Sequence, residues 1–417
     1  MSFKTVSVIG LGYVGLPTAA ILAGRGVNVI GVDTNPGTVE RINRGEIHIV
    51  EPDLDIMVRS AVQGGTLRAT DKPEAADAFI IAVPTPFAEG HKPNLDYIRA
   101  AADSIAPALK QGDLVVIEST CPVGTAEQVS IWLAAARADL SFPHGGNENA
   151  DICIAHSPER VLPGRVLIEM VQNDRIVGGL TERCSARAIE LYGLFVTGAL
   201  MATDARTAEL AKLAENAYRD VNIAFANELS RVADHLGMDV WQVIELANHH
   251  PRVNILNPGP GVGGHCIAVD PWFIVDSAPA VTPLIQAART VNDAKPAAVT
   301  EAAIAALAET GGKTIACLGL SYKADIDDLR ESPSVQIVEM LSRQAGVSLL
   351  VVEPHITSLP ASLAGEKSVT LSDLEPALKT ADLVLLLTDH REFRALERDR
   401  LRGKRVIDTR GIWRDRG

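Results

Sequence analysis

A chain of 417 residues, 47% hydrophobic and 22% charged, is long enough for two or three globular domains. Its net charge of −13 argues against a nucleic-acid partner, because phosphate binding needs a basic surface and no cluster of lysines or arginines is present. The longest apolar runs are far below the roughly 20 residues that cross a bilayer, and the first residues lack a signal-peptide pattern. Five scattered cysteines favour a reducing compartment, so we expect a cytoplasmic protein without disulfides.

The first part of the chain alternates short apolar runs with helical stretches. Strands are predicted within residues 4–15, 26–33, 76–86 and 112–120. Because helices lie between successive strands, we expect a parallel sheet.

A glycine-rich turn, GLGYVG, follows the first predicted strand. Gly10, Gly12 and Gly15 lie between that strand and a helix, and Asp33 ends the next strand. Such glycines let the backbone approach a pyrophosphate at the helix N-terminus, and an acidic residue about 20 positions later accepts hydrogen bonds from a ribose 2′-hydroxyl. A carboxylate there repels a 2′-phosphate. The turn therefore predicts a site for NAD rather than NADP, the alternative being a purely structural glycine turn.

The middle of the chain, residues 204 to 300, contains no strand-like run and is predicted to be helical. Asp204 is a suitable N-cap and Gly237 a suitable stop for one long helix. Helical spacing places a set of apolar residues on one side of this helix: Leu210, Leu213, Ala217, Val221 and Ala224.

Two further helices are predicted after the long one. The second runs from Asp239 to just before Pro251, and the third covers residues 282–309. Pro296 is a potential kink in the third helix.

Three polar residues share another face of the long helix. Lys212, Asn216 and Arg219 are spaced by four and three residues. Ile223 and Ala226 continue this face, which fits a partly covered surface better than full exposure. The spacing alone is equally compatible with an ordinary solvated stripe.

The last part of the chain repeats the pattern of the first, with strands predicted within 313–324, 346–354, 381–389 and 404–411. In its turn, Ser321 and Ala324 stand where the first turn has Gly12 and Gly15. With Lys323 beside them, this indicates a nucleotide site of another kind, the alternative being a solvated surface lysine.

The predicted fold class is α/β, with two Rossmann-like doubly wound parallel-sheet domains joined by a central helical domain. The expected boundaries are 1–202, 203–305 and 306–417.

One cysteine, Cys266, differs from the others in its surroundings. It lies in GPGVGGHCIAVDP (259–271), where four glycines have no side chains to cover the thiol. Metal binding is disfavoured, because there is no C-x-x-C pair and the adjacent His265 directs its side chain elsewhere, so no metal is expected. An accessible thiol beside an NAD site suggests aldehyde oxidation through a covalent thiohemiacetal and thioester. The remaining cysteines are interpreted as buried and structural: Cys121, Cys153, Cys184 and Cys317.

Seven longer motifs occur in order along the chain: GLGYVGLP, AVPTP, ESTCPVGT, SPERVLPG, ELAKLAENAYRDVNIAFANE, GGHCIAVDP and DDLRESPS. On these motifs the chain resembles the UDP-glucose/GDP-mannose dehydrogenase family over essentially its full length. The segments RGEIHIVEPDL (44–54) and HPRVNILNPGPGVGGHCIAVDPWFIV (250–275) are similar to the branch that acts on UDP-N-acetyl-D-mannosamine.

The resemblance implies an NAD-dependent, four-electron oxidation of the C6 hydroxyl of a UDP-sugar to a carboxylate, serving surface polysaccharide synthesis. UDP-N-acetylglucosamine and UDP-glucose are alternative substrates. A two-electron hydroxyacid dehydrogenase and a non-catalytic nucleotide-sugar binder are the other hypotheses. The resemblance also implies a homodimer formed through the helical middle. The net charge and the short apolar runs predict no nucleic-acid or membrane partner.

The resemblance further assigns chemical roles. Cys266 is the nucleophile that holds the intermediate, and Lys212 acts on the C6 oxygen, where a cation suits a developing alkoxide. Asn216 and Asp270 position the catalytic water and Lys212.

Water activation and ligand binding are assigned in the same way. Glu159 is the candidate base for thioester hydrolysis, and Thr120 is associated with it. The residues implied in cofactor binding are Gly10, Gly12, Tyr13, Val14, Gly15, Asp33, Thr85 and Arg330. Those implied in substrate binding are Arg160, Val161, Lys212, Asn216, Arg219, His250, Arg252, Gly263, Tyr322, Lys323 and Arg410.

Overall fold

The computed structural model describes residues 3–162, 164–264 and 266–414. The expectation for His265 therefore lies outside the described residues. The described chain divides into two compact units: a first unit up to Glu215 that also includes Trp272–Ala278, and a second unit of Asn216–Pro271 and the chain from Pro279 onward. The three-domain boundaries stay a prediction.

The first unit contains an eight-stranded sheet. Its strands are β1 Thr5–Ile9, β2 Asn28–Val32, β3 Leu67–Thr70, β4 Ala78–Ile81, β5 Leu114–Ile117, β6 Cys153–His156, β7 Arg175–Gly179 and β8 Leu200–Asp204. The helices that accompany them are α1 Gly15–Gly24, α2 Pro36–Asn43, α3 Leu54–Gln63, α4 Asp96–Ile105, α5 Thr125–Ala136, α6 Val166–Gln172 and α7 Glu182–Tyr192.

The order of strands in this sheet is β3-β2-β1-β4-β5-β6-β7-β8. All neighbours are parallel except β6 and β7, which pair antiparallel. The predicted parallel sheet is confirmed apart from this pair. Alternate residues of β4 pack into two separate cores, Ala78 and Ile80 into one and Phe79 and Ile81 into the other. Both faces of the sheet are therefore covered, which explains the continuous apolar runs in the sequence.

The central helices agree with the predicted caps. They are α8 Ala205–Leu236, α9 Val240–Asn248, α10 Asp270–Ser277 and α11 Pro283–Thr310. The Asp204 carboxylate accepts a hydrogen bond from the Thr207 amide (2.9 Å), and Gly237 ends α8 with φ +68°. The short helix α10 was not predicted, and α11 continues through Pro296.

The apolar residues that share one side of α8 differ in burial. Leu213, Ala217 and Ala224 are buried, whereas Leu210 is 46% exposed. The buried face of α8 is shifted toward Asn216, which is buried, so Leu210 falls at its edge.

The second unit contains a five-stranded parallel sheet with the order β11-β10-β9-β12-β13. Its strands are β9 Thr314–Leu318, β10 Ser348–Val352, β11 Val369–Leu371, β12 Leu383–Leu386 and β13 Arg405–Asp408. The remaining helices are α12 Pro333–Ser342, α13 Ala361–Ala364, α14 Leu374–Thr380 and α15 Arg391–Arg394. The order repeats that of the first five strands of the first sheet, so both predicted Rossmann-like sheets are present. A search of the described helices finds none with the length and apolar character needed to span a membrane.

Candidate active site and cofactor turn

The first glycine turn leaves open space where α1 begins. Gly10 has φ +90°, and a Cβ there would lie 2.6 Å from the Ala82 carbonyl oxygen. A Cβ on Gly15 would overlap the carbonyl of Gly10, whereas one on Gly12 would meet nothing within 4 Å. Gly10 and Gly15 are thus required by the turn itself, and the space beside Gly12 suits the close approach of a ligand.

The N-terminus of α1 is suited to an anion. Val14, its N-cap residue, makes no side-chain capping bond, and the first turn of the helix carries no acidic residue. No side chain therefore competes with a phosphate at this end of the helix, and the helix dipole favours an anion there. Tyr13 is exposed beside this end of the helix.

Asp33 lies beside the same turn. Its Oδ2 accepts a hydrogen bond from the Leu11 amide (3.0 Å), and its Oδ1 accepts one from the Asn35 amide (2.9 Å). Each carboxylate oxygen keeps a second lone pair, so both can also accept from ribose hydroxyls. The turn, the uncapped helix and this carboxylate together fit the dinucleotide NAD.

The ends of β4 and β5 carry two further predicted residues. The hydroxyl of Thr85 donates to the carbonyl of Thr120 at 2.6 Å, so the structure brings these residues together. The next residue, Cys121, is buried with its Sγ 3.9 Å from Nδ1 of His156, which ends β6. Burial, together with the positive charge of Lys212, lowers the pKa of His156 to about 3. Lys212 is therefore close to this carboxyl edge of the sheet.

Glu159 is held by a buried ion-pair network. Its carboxylate pairs with Arg175 and accepts a hydrogen bond from the Arg160 amide at 2.7 Å. Arg175 also contacts the fully buried Glu118 at 3.4 Å, and Tyr192 donates to that same carboxylate at 2.7 Å. Burial raises the pKa of Glu118. This geometry favours an organising task for Glu159, and its role as base stays a prediction.

Arg160 and Val161 follow Glu159 on the loop before α6. The Arg160 guanidinium pairs with Glu215 at 2.9 Å and also donates to the Asp174 carbonyl. Val161 is half-buried against the core of the first sheet. Arg160 therefore has a fixed direction, whereas Val161 packs against the core.

Cys266, Asp270 and Asn216 lie together in the second unit. Cys266 is exposed, and its carbonyl oxygen accepts hydrogen bonds from the amides of Val269 (3.1 Å) and Asp270 (2.9 Å). The buried Asp270 carboxylate in turn accepts from the Asn216 side-chain amide at 2.5 Å. Lys212 precedes Asn216 by one turn of α8. The other four cysteines are buried, as predicted.

The glycines before Cys266 have a packing role that the sequence did not show. A Cβ on Gly263 would lie 2.5 Å from the Glu331 carbonyl oxygen, and one on Gly264 would lie 2.7 Å from the Tyr322 ring. The loop thus presses against the second glycine turn, and only residues without side chains fit there. This contact also brings the predicted substrate residues Gly263 and Tyr322 together.

The second glycine turn differs from the first in its acidic residue. Glu353 follows β10 as Asp33 follows β2, but it is buried and accepts hydrogen bonds from the amides of Leu320 (2.7 Å) and Ser321 (3.1 Å). Nε2 of the fully buried His390 lies 3.0 Å from the same Oε2. The Glu353 carboxylate is therefore occupied by hydrogen bonds within the protein, and this supports a nucleotide site of a different kind from that of the first turn. Lys323 is exposed in this turn.

Two predicted arginines of the second unit have partners within the protein. Arg410 donates from Nε to the Leu387 carbonyl at 3.0 Å, and its Nη1 would lie 3.0 Å from a Cβ on Gly259. Arg330 is exposed and pairs with Asp328 at 2.6 Å. Arg410 is thus positioned beside the loop that carries Cys266.

Three other predicted substrate residues are exposed in the second unit: Arg219, His250 and Arg252. The Arg252 amide donates to Nδ1 of His250 at 3.3 Å, so these two lie in one turn after α9. Their assignment continues to rest on the motif resemblance.

Several polar residues at this site were missed from the sequence. Glu118 and Glu209 lie inside recognised motifs, but nothing in their spacing distinguishes a buried carboxylate from an exposed one. Arg175 and Tyr192 lie in segments to which no function was assigned. Asn227, whose Oδ1 accepts from the Gly259 amide at 2.9 Å, lies within the long helix motif.

Three family models together cover most of the chain. Residues 4–196 match the NAD binding domain of the UDP-glucose/GDP-mannose dehydrogenase family, 206–294 its central domain and 316–415 its UDP binding domain.

Individual relatives agree with the family models. The chain is 61% identical to an NDP-N-acetyl-D-galactosaminuronic acid dehydrogenase of Ralstonia solanacearum, over 99% of this chain and 97% of that protein. It is 56% identical to a UDP-N-acetyl-D-mannosamine dehydrogenase of Yersinia pestis, over 99% of this chain and all of that one (100%). A solved UDP-N-acetyl-mannosamine dehydrogenase from Staphylococcus aureus has a TM-score of 0.87 at 40% identity, covering 99% of this chain and 96% of that one. With its cofactor turn and its three matched domains, the chain belongs to the UDP-glucose/GDP-mannose dehydrogenase family and is an NAD-dependent nucleotide-sugar dehydrogenase.

Proposed function

We propose that this enzyme oxidises the C6 hydroxyl of UDP-N-acetyl-D-mannosamine to the carboxylate, with two NAD⁺ consumed per sugar. The single observation that carries the four-electron reaction is the exposed thiol of Cys266, one turn from the buried Asp270–Asn216 pair. A two-electron dehydrogenase needs no such nucleophile. The substrate is supported by the 56% identical relative named for UDP-N-acetyl-D-mannosamine.

The mechanism assigns one task to each polar group. NAD⁺ supplies the hydride acceptor for each of the two oxidations. The positive charge of Lys212 stabilises negative charge on the C6 oxygen while the hydroxyl proton passes to solvent and the first hydride leaves, so that the alcohol becomes an aldehyde. The Cys266 thiol then adds to the aldehyde carbonyl, with its sulfur on the carbon and its proton on the C6 oxygen. This thiohemiacetal loses its hydroxyl proton to solvent and the second hydride to NAD⁺, and becomes a thioester. Water cleaves the thioester, releasing the carboxylate and returning the thiol.

Four residues are assigned to the water of that last step: Asn216, Asp270, Thr120 and Glu159. Asn216 and Asp270 are joined by a 2.5 Å hydrogen bond, which fixes the orientation of both side chains. Thr120 is fixed through its carbonyl by Thr85, at 2.6 Å. Glu159 takes part through the loop that it organises with Arg160.

The nucleotide is assigned to the second Rossmann-like sheet. The exposed Lys323 and the positioned Arg410 supply positive charge for a diphosphate, while Tyr322 packs against the glycines beside Cys266. The domain boundaries 1–202, 203–305 and 306–417 are part of this proposal. The family matches at 4–196, 206–294 and 316–415 support them.

A second substrate is favoured by a specific observation. The relative with 61% identity is named for N-acetyl-D-galactosaminuronic acid. A UDP-N-acetyl-D-galactosamine substrate would use the same thiol chemistry, because the two sugars differ in stereochemistry away from C6.

The proposal includes a homodimer formed through α8. Tyr218, Phe225, Val232 and Leu236 are 69%, 53%, 47% and 62% exposed and follow one face of this helix. A continuous apolar stripe of this kind is typical of a subunit interface.

The proposal also includes a cytoplasmic location and a role in surface polysaccharide synthesis. The five described cysteines form no disulfide, which supports the cytoplasmic location.

The decisive experiment is a substrate panel with the purified enzyme. UDP-N-acetyl-D-mannosamine, UDP-N-acetyl-D-galactosamine, UDP-N-acetylglucosamine, UDP-glucose and GDP-mannose are compared by kcat/KM, and the NADH formed per sugar is counted. We expect UDP-N-acetyl-D-mannosamine to be preferred and to give two NADH. Preference for another sugar would change the substrate, one NADH per sugar would indicate the two-electron reaction, and no turnover would indicate a binding protein.

A further inference from the structure

Glu209 is a buried carboxylate between α8 and the start of α5. It lies one helical turn before Lys212 and is fully buried, at 0% exposure. Its Oε2 accepts a hydrogen bond from the Gly124 amide (2.5 Å), and its Oε1 accepts one from the Ala126 amide (2.8 Å). Gly124 has no side chain to cap α5, so Glu209 supplies the cap from a distant part of the sequence.

The loop that Glu209 holds also carries Thr120. At its other end, this loop is fixed by the 2.6 Å hydrogen bond from Thr85 to the Thr120 carbonyl. Glu209 and Lys212 share one rigid helix. The carboxylate therefore connects the lysine-bearing helix to the threonine-bearing loop.

We propose that Glu209 is a positioning residue for the oxidation: its carboxylate fixes the loop 120–124 against α8 and so sets Thr120 relative to Lys212. The inference rests on the proposed function of these two residues. It goes beyond that function by naming the group that aligns them. Misplacement of a reacting group by about 1 Å costs up to about a hundredfold in rate, so such a link affects turnover directly.

The surroundings of Glu209 make this link sensitive to pH. Burial raises the pKa of Glu209 to about 7, while its two backbone hydrogen bonds and Arg206 oppose the rise. Sγ of Cys121 and a ring nitrogen of His156 lie within 4.8 Å of its carboxylate, and His156 stays neutral near pH 7 because its pKa is about 3. The other charged group that acts on it is Glu127, in the first turn of α5.

Protonation of Glu209 weakens the link. In a protonated carboxyl one oxygen becomes a hydroxyl, which carries no negative charge and accepts from its backbone N–H more weakly than a carboxylate oxygen does. As pH falls through about 7, we therefore expect the loop to loosen and turnover to fall. Above that pH both hydrogen bonds are intact.

Glu148 provides a matched control, because it caps another helix in the same way. Its Oε1 and Oε2 accept from the amides of Glu182 (3.1 Å) and Arg183 (3.3 Å), where α7 begins. It is exposed and has no assigned part in the reaction. A general effect of losing a helix cap should appear equally in Glu148→Gln and Glu209→Gln.

The test compares Glu209→Gln, Glu148→Gln and the parent enzyme between pH 5.5 and 9. In Glu209→Gln we expect kcat at pH 8 to fall by about 10- to 100-fold, with KM for the sugar changed less than about twofold. The decrease of kcat as pH falls through about 7, which is the acid limb of the pH profile, should disappear in this variant. Glu148→Gln should keep both the rate and the limb. Parent-like kcat and limb in Glu209→Gln, or the same losses in both variants, would overturn the inference.

Amide hydrogen exchange at Gly124 and Ala126 tests the link without turnover. In the parent enzyme, protection of these two amides should decrease below pH 7 more than that of helix interiors, and in Glu209→Gln it should be low throughout. Equal protection at every pH in the parent enzyme would contradict the inference, even if the variant failed to fold. If UDP-N-acetyl-D-mannosamine is not oxidised, the kinetic comparison is made with the panel sugar that is, so the two proposals fail separately.

Discussion

Asp33 and Glu353 follow the second strand of their respective sheets, yet their surroundings differ. Asp33 accepts two backbone hydrogen bonds and remains half-buried at the turn. Glu353 also pairs with the buried His390. Burial alone would raise the pKa of Glu353, but its hydrogen bonds with His390 and with the backbone lower it. Asp33 can still accept hydrogen bonds from a ligand, whereas Glu353 stabilises its own turn.

The sequence was sufficient for residues whose chemistry follows from type and spacing. Gly10, Gly12 and Asp33 could be singled out because the turn itself requires Gly10, and a dinucleotide site has a glycine and an acidic residue at the spacing of Gly12 and Asp33. Cys266 could be singled out by its glycine-rich surroundings. Glu209 could not, since only the fold brings it to the Gly124 and Ala126 amides, more than 80 residues away.

Replacement of Cys266 by serine tests the covalent step. In Cys266→Ser we expect uronate formation to fall by at least about a thousandfold, because a hydroxyl neither ionises nor leaves as a thiolate does. NAD⁺ and UDP-sugar should still bind. The measurements are product analysis and binding calorimetry, and full uronate formation by this variant would remove the thioester from the mechanism.

At the scale of elements, a series of hydrogen bonds between buried polar side chains holds the loop that carries Cys266. Asn227 on α8 accepts from the Gly259 amide and donates to Asn292 on α11, both at 2.9 Å. Asn292 donates in turn to the Asp220 carboxylate at 2.8 Å, which pairs with the buried Arg289 at 2.6 Å. Two long helices are thereby joined to the start of the loop.

Truncation of Asn227 should loosen that loop. In Asn227→Ala, the Gly259 amide and the Asn292 oxygen lose their partner, so we expect the free energy of unfolding to fall by about 1–3 kcal/mol. Urea unfolding measures this change. Asn222→Ala is the control, because Asn222 lies on the same helix and, among the described residues, its side chain donates only to the Tyr218 carbonyl of that helix. Equal stability of the two variants would show that the chain of hydrogen bonds contributes nothing.

Helices with clear capping residues and strands with long apolar runs were predicted well, whereas short helices and strands were not. The caps at Asp204 and Gly237 gave the bounds of the 32-residue helix α8. Strand β11 has three residues and helix α10 eight, too few for a distinct periodicity. The antiparallel direction of β7 depends on how its neighbours pack, which no local pattern records.

At the scale of the whole molecule, the repeated strand order explains why two glycine turns appear in one chain. Both sheets place the first strand between the second and the fourth, so each has its crevice beside the first strand. The sequence predicted this repetition from paired apolar runs. It could not predict the compact units, because the stretch Trp272–Ala278 packs with the first unit after a long excursion of the chain.

The proposed dimer is tested on the exposed stripe of α8. Phe225→Glu places a charge in the middle of that stripe, so we expect a dimer to dissociate into monomers at micromolar concentration. Ile131→Glu is the control, since Ile131 is 46% exposed on α5 and lies off the stripe. Sedimentation velocity measures the mass. A Phe225→Glu protein of unchanged dimer mass would place the interface elsewhere, and a monomeric parent enzyme would exclude it.

The buried Glu353–His390 pair has a consequence for how the enzyme selects between its two nucleotides. A cell holds NAD⁺ and sugar nucleotides together, and a second turn with an available carboxylate would attract the cofactor as the first turn does. Because His390 and the backbone already saturate Glu353, adenosine ribose finds no acceptor there. Two copies of one fold can thus work in the same chain without competing for a single ligand.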